Sequence, residues 1–138
     1  MAKRELYHNL SVGTQVAIAP AAHAASIAIA AATTIDTYGY EGILLQLLCG
    51  TITDGTHTLA VYESDTDVTA NYTLVGAGDL LGAFVAVTSV VNGNQKVGYI
   101  GGKRYLRVID TLSGQTTGGI YSLVAICGVA MHKPVAVV

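Results

Sequence analysis

The chain has 138 residues, enough for one domain with a real hydrophobic core. Its formal net charge of −2 excludes the strongly basic balance of a dedicated nucleic-acid-binding domain. Charged residues make up only 12%, against about 25% in a typical soluble domain, and 51% are apolar. A free monomer of this composition would expose large apolar patches, which leaves a membrane protein, an amyloid-like chain or an obligate oligomer.

The N-terminal segment is rich in alanine. "VAIAPAAHAASIAIAAA" (residues 16 to 32) carries Pro20, His23 and Ser26 and is too weak to span a bilayer, and no later run is long and apolar enough. Lys3 and Arg4 precede an A-x-A-like site in "AHAAS". The stretch between is broken by Glu5, His8, Asn9, Gly13 and Gln15, so no secretory leader is expected. Alanine favours helix, but Pro20 and the alternation of Ile27 and Ile29 with Ser26, Ala28 and Ala30 favour an extended chain. The reading is an arm over residues 1–32 that runs over a neighbouring subunit or another protein surface, with Leu6, Tyr7, Leu10, Val16 and Ile18 as its anchors.

Residues 33–138 read as the folded domain. "EGILLQLLC" (41 to 49) is nearly continuous apolar and predicts a central strand buried on both faces. In "TITDGTHTLAVYES" the pair Asp54-Gly55 predicts a tight hairpin turn, followed by a strand with Leu59 and Val61 on one face. "GDLLG" (78 to 82) suggests one helical turn capped by Asp79, and "FVAVTSVV" (84 to 91) a further strand. Gly101-Gly102 predict a second two-residue hairpin with positive φ, between "KVGYI" and "KRYLRVID". "SGQTTGG" (113 to 119) then leads to a last long strand, "IYSLVAICGVAMH". The sum is about seven strands, an all-β antiparallel sandwich or barrel with an N-terminal arm.

Candidate chemistry is sparse. His8, His23, His57 and His132 lack metal-ligand spacing, and Cys49 and Cys127 belong to no CxxC motif. Those cysteines read as buried thiols of a protein made in a reducing cytoplasm, with a bridge between strands as the alternative. Glu63, Asp65 and Asp67 alternate in "ESDTD", yet the run lacks the glycine and terminal glutamate of a calcium loop. There is no G-x-S-x-G elbow and no glycine-rich phosphate loop, so neither an enzyme nor a cofactor is expected. Four of the seven Lys and Arg residues lie in "KVGYIGGKRYLRV". The pleat splits them between faces, which favours trim on edge strands or a subunit contact through Lys103, Arg104 and Arg107 over a nucleic-acid groove.

"YGYEGILLQLLCGTITDGTHTLAVYESDT", "KVGYIGGKRYLRV" and "TTGGIYSLVAICGVAMHKP" together resemble small virion structural proteins of tailed bacteriophages, of the capsid decoration (cement) kind. The resemblance covers residues 36 to 135 and implies a virion component made in the host bacterial cytoplasm. It further implies self-association, as a trimer, and the major capsid protein as partner. A head-tail connector or tail component is one alternative. A receptor- or glycan-binding module, with Tyr62, Tyr72, Tyr99, Tyr105 and Tyr121 as stacking platforms, is another.

Overall fold

The structure is a computed structural model that describes residues 13–88 and 93–131. Nine strands run through the described residues: β1 (Gly13–His23), β2 (Ile35–Asp36), β3 (Tyr40–Ile52), β4 (Thr56–Ser64), β5 (Thr73–Leu74), β6 (Leu80–Leu81), β7 (Asn94–Tyr99), β8 (Tyr105–Ser113) and β9 (Gly119–Ala130). They form two antiparallel sheets, a five-stranded one in the order β1-β9-β3-β7-β6 and a four-stranded one in the order β2-β8-β4-β5. The fold is the expected all-β sandwich.

Period-two alternation builds the core. Ile43, Leu45 and Leu47 of β3, Tyr121, Leu123, Ala125 and Cys127 of β9, and Val97 and Tyr99 of β7 point inward from the larger sheet. Leu59 and Val61 of β4 meet them with Leu106, Val108 and Leu112 of β8. β3 is central, as its apolar run suggested, but it is buried on one face only. Leu44 is half-buried and Leu48 is 47% exposed on the other.

The two expected hairpins are not hairpins. β3 pairs with β7 and β9, whereas β4 pairs with β5 and β8, so the Asp54-Gly55 turn carries the chain from one sheet to the other. Gly55 does hold a positive φ, +84°, as that turn chemistry requires. Gly101-Gly102 likewise link β7 of the larger sheet to β8 of the smaller, and neither glycine has a positive φ. Gly101 serves close approach instead, because a Cβ there would fall 2.5 Å from the Tyr99 hydroxyl and 2.6–2.7 Å from its ring. Among the described residues nothing lies within 4 Å of a Cβ at Gly102. Gly101→Ala should therefore cost about 1–3 kcal/mol in urea unfolding, and Gly102→Ala no more than about 0.5 kcal/mol. Equal costs would refute this account of the loop.

The arm also needs correcting. Gly13–His23 is a strand of the sandwich, antiparallel to β9, and Ala17 and Ile18 are each 3% exposed in the chain's own core. Ile18 anchors β1 to its own domain, while Val16 faces outward at 51% exposure. Pro20 is tolerated because β1 is an edge strand paired on one side only. Residues 24–34 then cross to the second sheet, where Ile27 exchanges backbone hydrogen bonds with Asp110. Leu6, Tyr7 and Leu10 lie outside the described residues.

The stretch expected as a strand over 84 to 91 pairs, within the described part, at Val87 alone, which exchanges backbone hydrogen bonds with His57. The Gln95 side-chain amide substitutes for a ladder at Val85, accepting from its N–H at 2.7 Å and donating to its carbonyl at 2.8 Å. The helical turn lies at Ala77–Asp79, and the two leucines after it form β6 rather than extending it.

Candidate interaction surface

Around β8, charge is settled within the chain. Arg104 makes a bidentate pair with Asp36, Nε to Oδ1 at 3.0 Å and Nη2 to Oδ2 at 2.8 Å, with its guanidinium 4.8 Å from the Tyr38 and Tyr105 ring centroids. That hydrogen bond holds the Asp36 carboxyl below its usual range. Lys103 pairs with Asp65 at the surface. Arg107 is 8% exposed and donates to the Ile29 carbonyl at 2.9 Å, Thr34 Oγ1 at 3.0 Å, Thr69 Oγ1 at 3.1 Å and Asp67 Oδ1 at 2.9 Å. Its fixed fork of donors ties two crossing loops to the sheet. Hydrogen bonds from Tyr72 and Thr34 lower the Asp67 pKa, with Arg107 adding to them.

All three cations expected at an interface are thus paired inside the chain. The "ESDTD" carboxylates are engaged as well: Asp65 and Asp67 by those cations, and Glu63 by the Tyr99 hydroxyl at 2.7 Å. Among the described residues no three His, Cys, Asp or Glu side chains converge as a metal site would need. Cys49 and Cys127 are free thiols. Although β3 and β9 are neighbours, Cys49 stands opposite Tyr121 and Cys127 opposite Ile43, about 20 Å apart at ~3.3 Å per residue. Burial pushes both thiols up, away from the reactive thiolate.

Sequence reading missed a buried polar hub. Asp110 Oδ2 accepts from His57 Nδ1 at 2.8 Å and from the Tyr121 hydroxyl at 2.5 Å, and none of the three residues is more than 2% exposed. The hub joins β4, β8 and β9 across both sheets. Its signal was parity: His57 shares the inward phase of Leu59 and Val61, and Asp110 that of Leu106 and Val108. Each buried tyrosine follows the same pattern, Tyr72 to Asp67, Tyr99 to Glu63 and Tyr121 to Asp110. Burial first, and the carboxylate second, drive the Tyr99 and Tyr121 phenols well above the ordinary tyrosine range. Enclosed this way, Tyr72, Tyr99 and Tyr121 cannot act as stacking platforms.

Among the described residues, the outer face of the five-stranded sheet is left broadly apolar. Val16, Leu48, Leu81, Ile100 and Ile120 stand 47–62% exposed around its half-buried Leu44, Val124 and Ile126. Of the described residues on this face only Lys96 is charged. Toward one end lies a shallow trough of about 280 Å³, lined by Gly42, Gly98 and Gly128 with Leu44, Leu81 and Ile126. Val129, next to it, holds φ +53°, a left-handed conformation that is costly for a β-branched side chain. Contiguous apolar exposure of this kind marks an interaction surface. Among the described residues no helix is long and apolar enough to cross a membrane.

No protein-family model matches the chain, and no curated relative does. A crystal structure of the SPBc2 prophage-derived protein YomS is similar, with a TM-score of 0.50 at 13% identity, covering 84% of this chain and 91% of that one. At that identity the likeness is one of fold alone.

Proposed function

We propose that the chain is a structural subunit of a bacteriophage particle, a decoration protein whose copies associate and bridge neighbouring major capsid subunits. Its action is mechanical, with no catalytic step and no cofactor. The observation that carries this reading is the nearly uncharged apolar face of the larger sheet, on a chain whose Lys103, Arg104 and Arg107 already have partners. Large apolar contacts are the mark of permanent assemblies. The fold shared with a prophage-derived protein and the resemblance of the "TDGTHT", "YIGGKRYLRV" and "TTGGIY" segments to virion proteins support the same reading. Occupying sites present only on the assembled shell stabilises that shell by mass action.

The test is reconstitution. Particles made without this chain should bind it saturably, cosediment with on the order of hundreds of copies each, and withstand more heat than bare particles. About a dozen copies or fewer would assign it to a closed ring at the head-tail junction instead. Absence of particle binding, with retention on a glycan array, would replace the reading with a receptor-binding module.

A further inference from the structure

We infer that the outer face of the five-stranded sheet recognises itself, packing against the same face of a second copy about a two-fold axis. This deepens the proposed function by naming the partner of that face. The face has a hollow toward one end, rimmed on its β6 side by Leu81 and Ile100, and a ridge on β3 and β9 toward the other. The trough at Gly42, Gly98 and Gly128 lies beside Leu44, and the 47% and 51% exposed side chains of Leu48 and Ile120 stand further along the same strands. Leu48 is four residues beyond Leu44 on β3, about 13 Å at ~3.3 Å per residue. Gln46 lies midway, flanked by Val124 and Lys96.

A two-fold axis lying between two such faces, across the strands at the level of Gln46, carries the ridge of each copy over the hollow of the other. The fit is reciprocal, as an isologous contact requires. Two sheets stacked in this way keep their usual spacing of about 10 Å. The axis sets the two Lys96 side chains at one level near the margin, where their long stems let the ammonium groups part toward solvent. A face with so little charge offers nothing to select a strongly charged partner. Four strands about 4.8 Å apart, overlapping for six to eight residues, with the two residues of β6 beside them, would cover on the order of 500 Å² per copy, about 1,000 Å² in all. That is at the threshold for a specific protein–protein interface. A closed pair uses up the face, so this contact builds dimers rather than the three-copy ring implied by the resemblance, and the shell is met by other surfaces.

Sedimentation velocity of the full chain tests the inference. The chain should sediment as a pair at micromolar concentration. Leu48→Glu places a carboxylate over the partner's trough. Gly42→Leu fills the trough where no described residue lies within 4 Å of the added Cβ, so it keeps the test decisive if the first variant folds poorly. Both should weaken the pair at least about 100-fold, with β-type circular dichroism and melting preserved. A monomeric wild-type chain, a trimer, or a folded Gly42→Leu variant that pairs as tightly as wild type would overturn the inference. Particle binding is scored separately: a pair that fails to bind particles sinks the proposed function alone, and a monomer that decorates them sinks the inference alone.

Discussion

Replacing Asp110 with alanine should cost about 3–5 kcal/mol of folding stability, the range for removing one partner of a buried charged or hydrogen-bonded pair. The substitution strips one acceptor oxygen from two buried donors at once, His57 Nδ1 and the Tyr121 hydroxyl. Bulk solvent is kept away from both, since each residue is at most 2% exposed. The hub has little redundancy, because His57 Nε2 and Asp110 Oδ1 make no hydrogen bond among the described residues. Tyr121→Phe removes one donor and leaves the other pair in place, so it should cost only about 1 kcal/mol. In the Asp110→Ala background that second change should cost almost nothing, since the acceptor is already gone. A double-mutant cycle in urea would show this coupling. A loss below about 1 kcal/mol for Asp110→Ala would mean that the hub is not what joins the sheets there. Hydrogen exchange supplies a local readout, since the amides of Ile27 and Val87 are held by the backbones of Asp110 and His57 and should open earlier in the variant.

What the sequence revealed follows from the range of each signal. Alternation is local, so the strands around Leu45, Leu59, Val108 and Leu123 were legible, and with them the all-β class. Turn chemistry is local too. Asp54-Gly55 announced a reversal and Gly55 supplies the positive φ, but nothing in those residues says whether the next strand joins the same sheet or the facing one. Here the long strands cross at β3 to β4, at β7 to β8 and at β8 to β9, so every hairpin inferred from proximity was misplaced. β1 was hidden for another reason. Its pairing with β9 carries register shifts between Val16 and Ile18 and again between Ile18 and Ala21, which blur the period, and its alanines carry little apolar area. Partnership among charges was the least legible part. Arg104 finds Asp36 across 68 residues and Arg107 finds Asp67 across 40, so their roles emerge only when the fold brings the segments together.

Gly118→Ala should be the most damaging single methyl in the chain, costing more than about 4 kcal/mol and leaving little soluble protein. Gly118 closes the corner between β8 and β9 with φ +76°, a conformation that costs an L side chain roughly 1–2 kcal/mol by itself. Space adds far more. An alanine Cβ would fall 1.9 Å from the His23 carbonyl oxygen, a backbone atom at the end of β1 that cannot turn aside as a side chain could. The same residue donates its N–H to Asp54 Oδ1 at 2.5 Å, and its carbonyl accepts from the N–H groups of Thr53 and Asp54 at 3.0 and 3.2 Å. Moving Gly118 away from His23 therefore breaks the corner that joins β3 to β4, and holding it in place breaks the His23–Gly119 end of the β1–β9 ladder. Gly114 provides the control within the same connection. It has φ +67° but no described residue within 4 Å of an added Cβ, so Gly114→Ala should show the conformational cost alone, about 1–2 kcal/mol. The difference between the two variants in urea midpoint and soluble yield measures the contact with β1. If the two alanine variants proved equally stable, β1 would not be packed against this corner, and the N-terminal segment would again read as an arm rather than as a strand of the sandwich.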